Sequence, residues 1–316
     1  MKHGFTTSAH LKSTLPSSVA AHLTHVSLTD SALGVHKSSS RTPHHLVTPP
    51  HSSHKASDGQ PDPEKAWEAR YPKGSINPSG TIPGGFGFYL TGPSDFKEAL
   101  EKGSGAKEVV FGYRMMLEPG WEWVKGGKLP GVYGGVGDQA YGCTGGRQDQ
   151  RCTCFDLRPM WRAKGTGELY AYLPLTKTNS THLLAAPPTS IVNADYGISV
   201  GRGSFHLDIA VGRWVSIAFR VRMNDVGAHN GVYMHVYQAV VLVGSAYICG
   251  FGTGTIQVWV DGVSAINVSG IAVCQAKDAR IKGMHFQTFF GGHTAEWASP
   301  KEQRAWFADV SGAIVE

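Results

Sequence analysis

Short stretches in which apolar and polar residues alternate recur along most of the chain, and each reads as a strand with one covered face. In Glu168-Leu169-Tyr170-Ala171-Tyr172-Leu173 the alternation puts Glu168, Tyr170 and Tyr172 on one face. Phe155-Asp156-Leu157-Arg158 alternates in the same way and sets Asp156 beside Arg158. GISVGRGSFHLD, RWVSIAFRVRMND and IQVWVDG are also strand-like, while FGFYL and VVFGYRMML are apolar runs that predict buried strands. One segment departs from this period. SDFKEALEKG carries Asp95, Glu98 and Glu101 early and a glycine after Lys102, the punctuation of a short helix. Turn signals such as YPKGSINPSGTIPGG separate the segments. The pattern predicts an all-β fold in which residues 67–316 form one sandwich domain.

Residues 1–66 lack any sustained period. The segment is rich in Ser, His, Thr and Pro (KSSSRTPHHLVTPPHSSHK) and offers little apolar surface to offset ordering entropy, so it is expected to be a disordered tail. His44, His45, His51 and His54 read as part of that low-complexity composition rather than as a metal site. Neither HExxH, a P-loop nor a zinc-like Cys/His spacing occurs, so no metal and no cofactor is expected. MKHGFTTSAHLKSTLP has no apolar core of the kind a secretion signal carries.

Composition changes this picture little. The 40 Gly and 17 Pro among 316 residues fit a loop-rich β protein. The net charge of +5 is mild and scattered, compatible with an acidic ligand and too weak to argue for nucleic acid. Val226–Val260 contains no Asp, Glu, Lys or Arg. Its middle, VYMHVYQAVVLVGSAYICGFG, has the length of a membrane span, but His235, Gln238 and the strand-like IQVWVDG that follows argue against one. Asn179 and Asn267 open Asn-x-Ser/Thr triplets, which matter for an exported chain.

Candidate chemistry concentrates in Trp123–Tyr172. Lys128 precedes a Pro-Gly turn in a glycine-rich stretch where backbones can approach closely. Together with Asp156, Arg158, Glu168, Tyr170 and Tyr172 it offers two cations, two phenols and two carboxylates to one concave sheet face. That set suits an acidic sugar polymer. The structural alternative is that alternating Tyr residues cover a half-buried surface and that Asp156 and Arg158 form a solvated pair.

The phrases YPKGSINPSG, GGFGFYL, EWVKGGKLPGVYGG, LRPMWRAKGTGELYAYLP, GISVGRGSF, IQVWVDG and FQTFFGGH occur in this order. Together they resemble the polysaccharide lyase family 14 domain, its fungal members in particular, from about Tyr71 to the C-terminus. The resemblance implies a β-jelly roll that cleaves an acidic polysaccharide by β-elimination, with glucuronan the first expected substrate and alginate next. It implies an extracellular location and no cofactor, and leaves the oligomeric state open. By the family pattern the lysine of KLPG, Lys128, carries the important role, and Lys125 does not. Arg158 and Lys128 would neutralise the substrate carboxylate. Tyr172 would shuttle the proton, with Tyr170 as its partner or an orienting phenol and adjacent cations lowering both phenols toward working pH; Lys128 itself is also permitted as the base. Asp156, Glu168, Arg202, Gln287 and His293 are weaker substrate-binding candidates. Asp156 stands where some relatives carry serine, and a carboxylate there repels a uronate unless it pairs with Arg158 or Lys128.

Cys143 and Cys154 would close a short loop ahead of the Asp156–Arg158 strand, and similar fungal relatives carry a cysteine just before the phenylalanine, which favours Cys154 over Cys152. In the family the NDVG turn leads almost at once into a strand like IQVWVDG. Here about two dozen residues intervene, and residues 232–254 read as an insertion or a retained intron. The competing function is a non-catalytic carbohydrate-binding jelly roll that uses the same face.

Overall fold

The computed structural model describes residues 1–57, 59–193, 197–226 and 252–316. In chain order its strands are β1 (His3–Thr6), β2 (Leu23–His25), β3 (His45–Val47), β4 (Ala66–Tyr71), β5 (Phe86–Leu90), β6 (Glu108–Leu117), β7 (Gly126–Lys128), β8 (Gly131–Gly135) and β9 (Cys154–Arg162). They continue as β10 (Thr166–Tyr172), β11 (Ile191–Asn193), β12 (Gly197–His206), β13 (Val215–Arg222), β14 (Gly254–Val260), β15 (Val263–Ile271), β16 (Arg280–Phe290) and β17 (Gln303–Ile314). One sheet runs β15-β14-β13-β6-β17-β1-β2, with β4 also on β17 and β3 on β4. The other runs β11-β12-β10-β9-β7-β16-β5, with β8 also joining β9 to β16. Apolar residues of the two inner faces meet in a single core, giving the expected all-β jelly-roll sandwich.

Alternation decides which residues reach that core. On β9, Phe155, Leu157 and Trp161 point inward; on β10, Leu169 and Ala171 do the same. Phe286 of β16 lies within ring contact of Trp67, Phe86, Phe88, Tyr113 and Phe307 and so ties both sheets together. The opposite faces of β9 and β10 are therefore free to carry polar chemistry. The expected helix forms over Ser94–Glu101 and buries Phe96 and Leu100. Among the described residues no helix is long and apolar enough to cross a membrane.

Strands β7 and β8 are two halves of one strand interrupted at Leu129-Pro130, both lying between β9 and β16. Proline has no N–H to give to a ladder, so pairing stops there. The interruption frees two carbonyls. Leu129 O accepts from Arg158 Nε at 3.2 Å, and Pro130 O accepts from the Tyr113 hydroxyl at 3.0 Å. The neighbouring glycines are required by close approach: a Cβ on Gly131 would stand 1.9 Å from Leu157 O.

Residues 1–66 correct the expectation of a disordered tail. β1 pairs antiparallel with β17, from His3 opposite Ile314 to Thr6 opposite Ser311, and β2 pairs with β1. Phe5 is fully buried against Phe96, with ring centroids 4.8 Å apart. Leu23 and Leu33 are buried as well. His44 packs against Phe88 with ring centroids 4.2 Å apart and bonds Asp30 at 2.8 Å. The segment is held by backbone pairing to an existing strand edge and by a few widely spaced apolar anchors, which leaves no local period to read.

The suspected insertion, residues 232–254, lies outside the described residues except for its last three. Its flanks are well defined. β13 and β14 pair antiparallel from Ile217 opposite Val260 to Arg222 opposite Thr255, and Asp225 N–H donates to Thr253 Oγ1 at 3.0 Å. Of the two glycosylation triplets, Asn267 is exposed on β15. Asn179 is buried, with Nδ2 donating to Pro174 O and Ala272 O, so the folded chain cannot present it to a glycosyltransferase.

Two outcomes are expected from this fold. Phe5→Ala should cost about 3–5 kcal/mol in urea unfolding, the usual loss for a fully buried Phe, whereas a disordered tail would give no change. Replacing residues 228–251 by an Asn-Gly turn should leave the urea midpoint close to that of the full chain, because the strand ends already meet at Asp225 and Thr253. A large drop would show that the segment contributes to the core.

Candidate active site

The register of the second sheet brings the polar residues together. Tyr172 faces Asp156 and Tyr170 faces Arg158 across β9 and β10, while Lys128 on β7 lies between Met160 of β9 and Phe289 of β16. The contacts are direct. Lys128 Nζ donates to the Tyr172 hydroxyl at 3.3 Å and sits 4.1 Å from the centre of the Tyr170 ring and 5.0 Å from that of Tyr172. The two phenol rings pack edge to face at 5.0 Å. Lys128 is half-buried, whereas Tyr170 and Tyr172 are 3% and 1% exposed.

The expected bridge between Cys143 and Cys154 is present. It closes a loop that folds over Tyr172: the Gly146 N–H donates to the phenol oxygen at 3.0 Å, and the Arg151 guanidinium lies 4.3 Å from the ring. Neither contact was foreseen, since nothing in TGGRQDQR shows which of its groups turns back onto the sheet.

Arg158 lies deeper than expected. It is 2% exposed, and three of its N–H groups are committed to protein, with Nε on Leu129 O, Nη1 on Gln287 Oε1 at 2.9 Å and Nη2 on Gln287 O at 2.6 Å. It anchors Gln287 and spreads positive charge beneath the site instead of reaching outward. Asp156 also has a partner other than those expected. Its carboxylate bonds His285 Nδ1 at 2.7 Å, both groups are buried, and His285 stacks on Tyr89 at 4.2 Å. His285 was missed, although Met-His-Phe-Gln alternates and places it on the same face of β16 as Gln287.

Glu168 is fully buried, with one oxygen held by Arg162 and the other by Arg202. This triad braces β10 against its neighbours and turns both oxygens of Glu168, and the Nε of Arg202, toward each other instead of a ligand. His293 is exposed in the loop after β16 and joins none of these contacts. Among the described residues no group of three His, Cys, Asp or Glu could hold a metal ion.

Electrostatics separate the two groups that touch. Burial, and after it the charge of Arg158, brings the Lys128 ammonium down to about 7. Burial pushes the Tyr172 phenol up, and the Gly146 hydrogen bond offsets only part of this. The expectation that cations would pull this phenol toward working pH is thereby corrected: desolvation outweighs them. Burial, followed by Arg158, also lowers His285, which favours its neutral form.

The family model described as Polysaccharide lyase 14 matches residues 60–249 and 249–310. The marine PL-14 alginate lyase from Aplysia kurodai is similar at 25% identity and a TM-score of 0.67, over 99% of this chain and 98% of that one. The alginate lyase vAL-1 from Chlorella virus shares the fold at 19% identity and a TM-score of 0.59, over 90% of this chain and 93% of its own. A comparison with curated proteins returns no match.

The charges around Lys128 give a signed test. Arg158 lowers its pKa and Asp156 raises it, so Arg158→Gln should move the titration of the amine upward and Asp156→Asn should move it downward. The pH dependence of Lys128 acylation, read by peptide mass spectrometry, measures both. Shifts in the same direction would refute this account of the site.

Proposed function

The chain belongs to polysaccharide lyase family 14, and we propose that it cleaves a polyuronate by β-elimination with Lys128 as base and Tyr172 as acid. The observation that carries this reading is the contact of an amine lowered to about 7 with a phenol that is raised. The C5 proton of a uronate is weakly acidic, because its removal loads a second charge onto the neighbouring carboxylate. A lysine with its pKa near 7 is largely unprotonated slightly above neutrality and can take that proton. Tyr172 keeps its own proton and can give it to the leaving O4. As C4–O4 breaks, the C4–C5 double bond forms and leaves an unsaturated uronate end.

The developing charge needs positive potential nearby, usually the largest single contribution to such catalysis. Arg158 supplies it from beneath. It also fixes the Oε1 of Gln287, which leaves the Gln287 amide N–H groups as donors to the carboxylate. The Tyr170 ring lies against the Lys128 head group and favours the ammonium that forms when the amine takes the proton. The Gly146 N–H occupies a lone pair of the Tyr172 hydroxyl, which leaves the O–H proton for O4 and gives the phenolate formed there a donor.

Alginate is placed first as substrate, ahead of the glucuronan expected from sequence. The full-length similarity to the Aplysia kurodai alginate lyase supports that order. The test is incubation with alginate, glucuronan and a neutral glucan while the ultraviolet absorbance of the conjugated product is followed. Absorbance should rise with alginate. Lys128→Ala should lower turnover by roughly 10³-fold, and Tyr172→Phe by roughly 10²-fold or more with little change in KM. Activity should fall as pH drops through about 7, where Lys128 becomes charged. Saturable binding of polyuronate without unsaturated product would favour the binding module.

A further inference from the structure

Two described cysteines lie outside the Cys143–Cys154 bridge, Cys152 exposed and Cys274 buried. Cys152 stands in the turn that ends the disulfide loop, and Cys274 in the connection from β15 to β16. These two segments are hydrogen-bonded to each other, the Gln275 N–H donating to the Cys152 carbonyl at 3.0 Å. Cys274 Sγ lies 3.0 Å from the same oxygen. A carbonyl oxygen is about 2.4 Å from its own Cα, so this sulfur is within roughly 5.4 Å of the Cys152 Cα. Cys274 is also held in place. Asn224 Oδ1 accepts from the N–H groups of both Val273 and Cys274, at 2.8 and 3.1 Å.

We propose that Cys152 and Cys274 are the site of a second disulfide, formed by reaction with a low-molecular-mass disulfide, which staples the base of the active-site loop to the β15–β16 connection. The exposures of the two thiols set the order of events. Cys152 meets the reagent first: its thiolate attacks one sulfur, displaces a thiolate and forms a mixed disulfide. Cys274 then attacks the Cys152 sulfur, forms the protein S–S bond and displaces the second thiolate. The two protein thiol protons end on the two released thiols, so two protein thiols and one small disulfide give one protein disulfide and two small thiols. Burial raises the Cys274 thiol and keeps it unreactive toward solvent reagents, while an adjacent mixed disulfide reaches it directly.

The bond matters for the site because the same loop carries Gly146 and Arg151 onto Tyr172. With Cys154 bonded to Cys143 and Cys152 bonded to Cys274, the end of the loop nearest β9 is fixed, and movement is confined to its tip. Bridging residues so far apart in sequence restricts the unfolded chain as well.

The test is peptide mapping of the full chain after exposure to oxidised glutathione, with free thiols alkylated before digestion. A linked peptide containing Cys152 and Cys274 is expected, lost in Cys152→Ser. The oxidised wild type should melt roughly 5 °C above oxidised Cys152→Ser, an exposed position whose replacement leaves the core intact. Recovery of both cysteines in alkylated form, or of Cys152 joined only to glutathione or to a second molecule, would overturn the proposal. The mapping does not use catalysis, so a failure of the lyase reading and a failure of this one are separately visible.

Discussion

Arg158 is a charge that the sheet must accommodate without water, and the arrangement around it follows from that need. Leu129 O is available to it because Pro130 interrupts the strand, and Gln287 takes up two further N–H groups. Each acceptor comes from a different strand or from the break between two, so the guanidinium joins β9, the β7–β8 junction and β16. A buried cation satisfied in this way costs less than an unpaired one, but its field remains. Lys128 feels its own burial first and that field second, and its amine falls to about 7 as a result. The residue that was expected to clamp substrate is turned instead toward Leu129 and Gln287.

Covering elements complete the environment. The outer faces of β9 and β10 would be open to solvent if the sandwich were all there is. Instead the Cys143–Cys154 loop lies over Tyr172, and desolvation there keeps the phenol protonated. At the other end of the second sheet, the N-terminal segment runs past β5, where His36 and Tyr89 exchange backbone hydrogen bonds. His36 then bonds Tyr141 at 2.9 Å, and Tyr89 stacks on His285. The segment thus borders the same aromatic wall that supports the Asp156–His285 pair.

That pair accommodates the carboxylate that was expected to repel a uronate. Asp156 is accepted at the floor of the site because His285 donates to it at 2.7 Å within a shell of aromatic rings. Its charge also opposes that of Arg158 at Lys128, raising what Arg158 lowers. Asp156 and His285 belong together physically, though they are far apart in sequence.

The sequence by itself determined the sandwich, the helix over Ser94–Glu101, the faces of β9 and β10 and the grouping of Lys128, Arg158, Tyr170 and Tyr172. These are consequences of alternation and of local turn chemistry, which act between near neighbours in the chain. The Cys143–Cys154 bridge was read from the short loop it closes, with family resemblance favouring Cys154 over Cys152. Only the tertiary structure decided that Arg158 turns inward to Gln287, that Asp156 meets His285, that Glu168 is consumed by Arg162 and Arg202, and that Tyr172 is raised and not lowered. It also decided that residues 1–57 are ordered, through pairing with β17, β4 and β5. Burial and charge depend on what other segments bring to within a few ångströms, and an edge strand borrows its hydrogen bonds from a distant partner. Neither leaves a periodic mark in the segment that receives it.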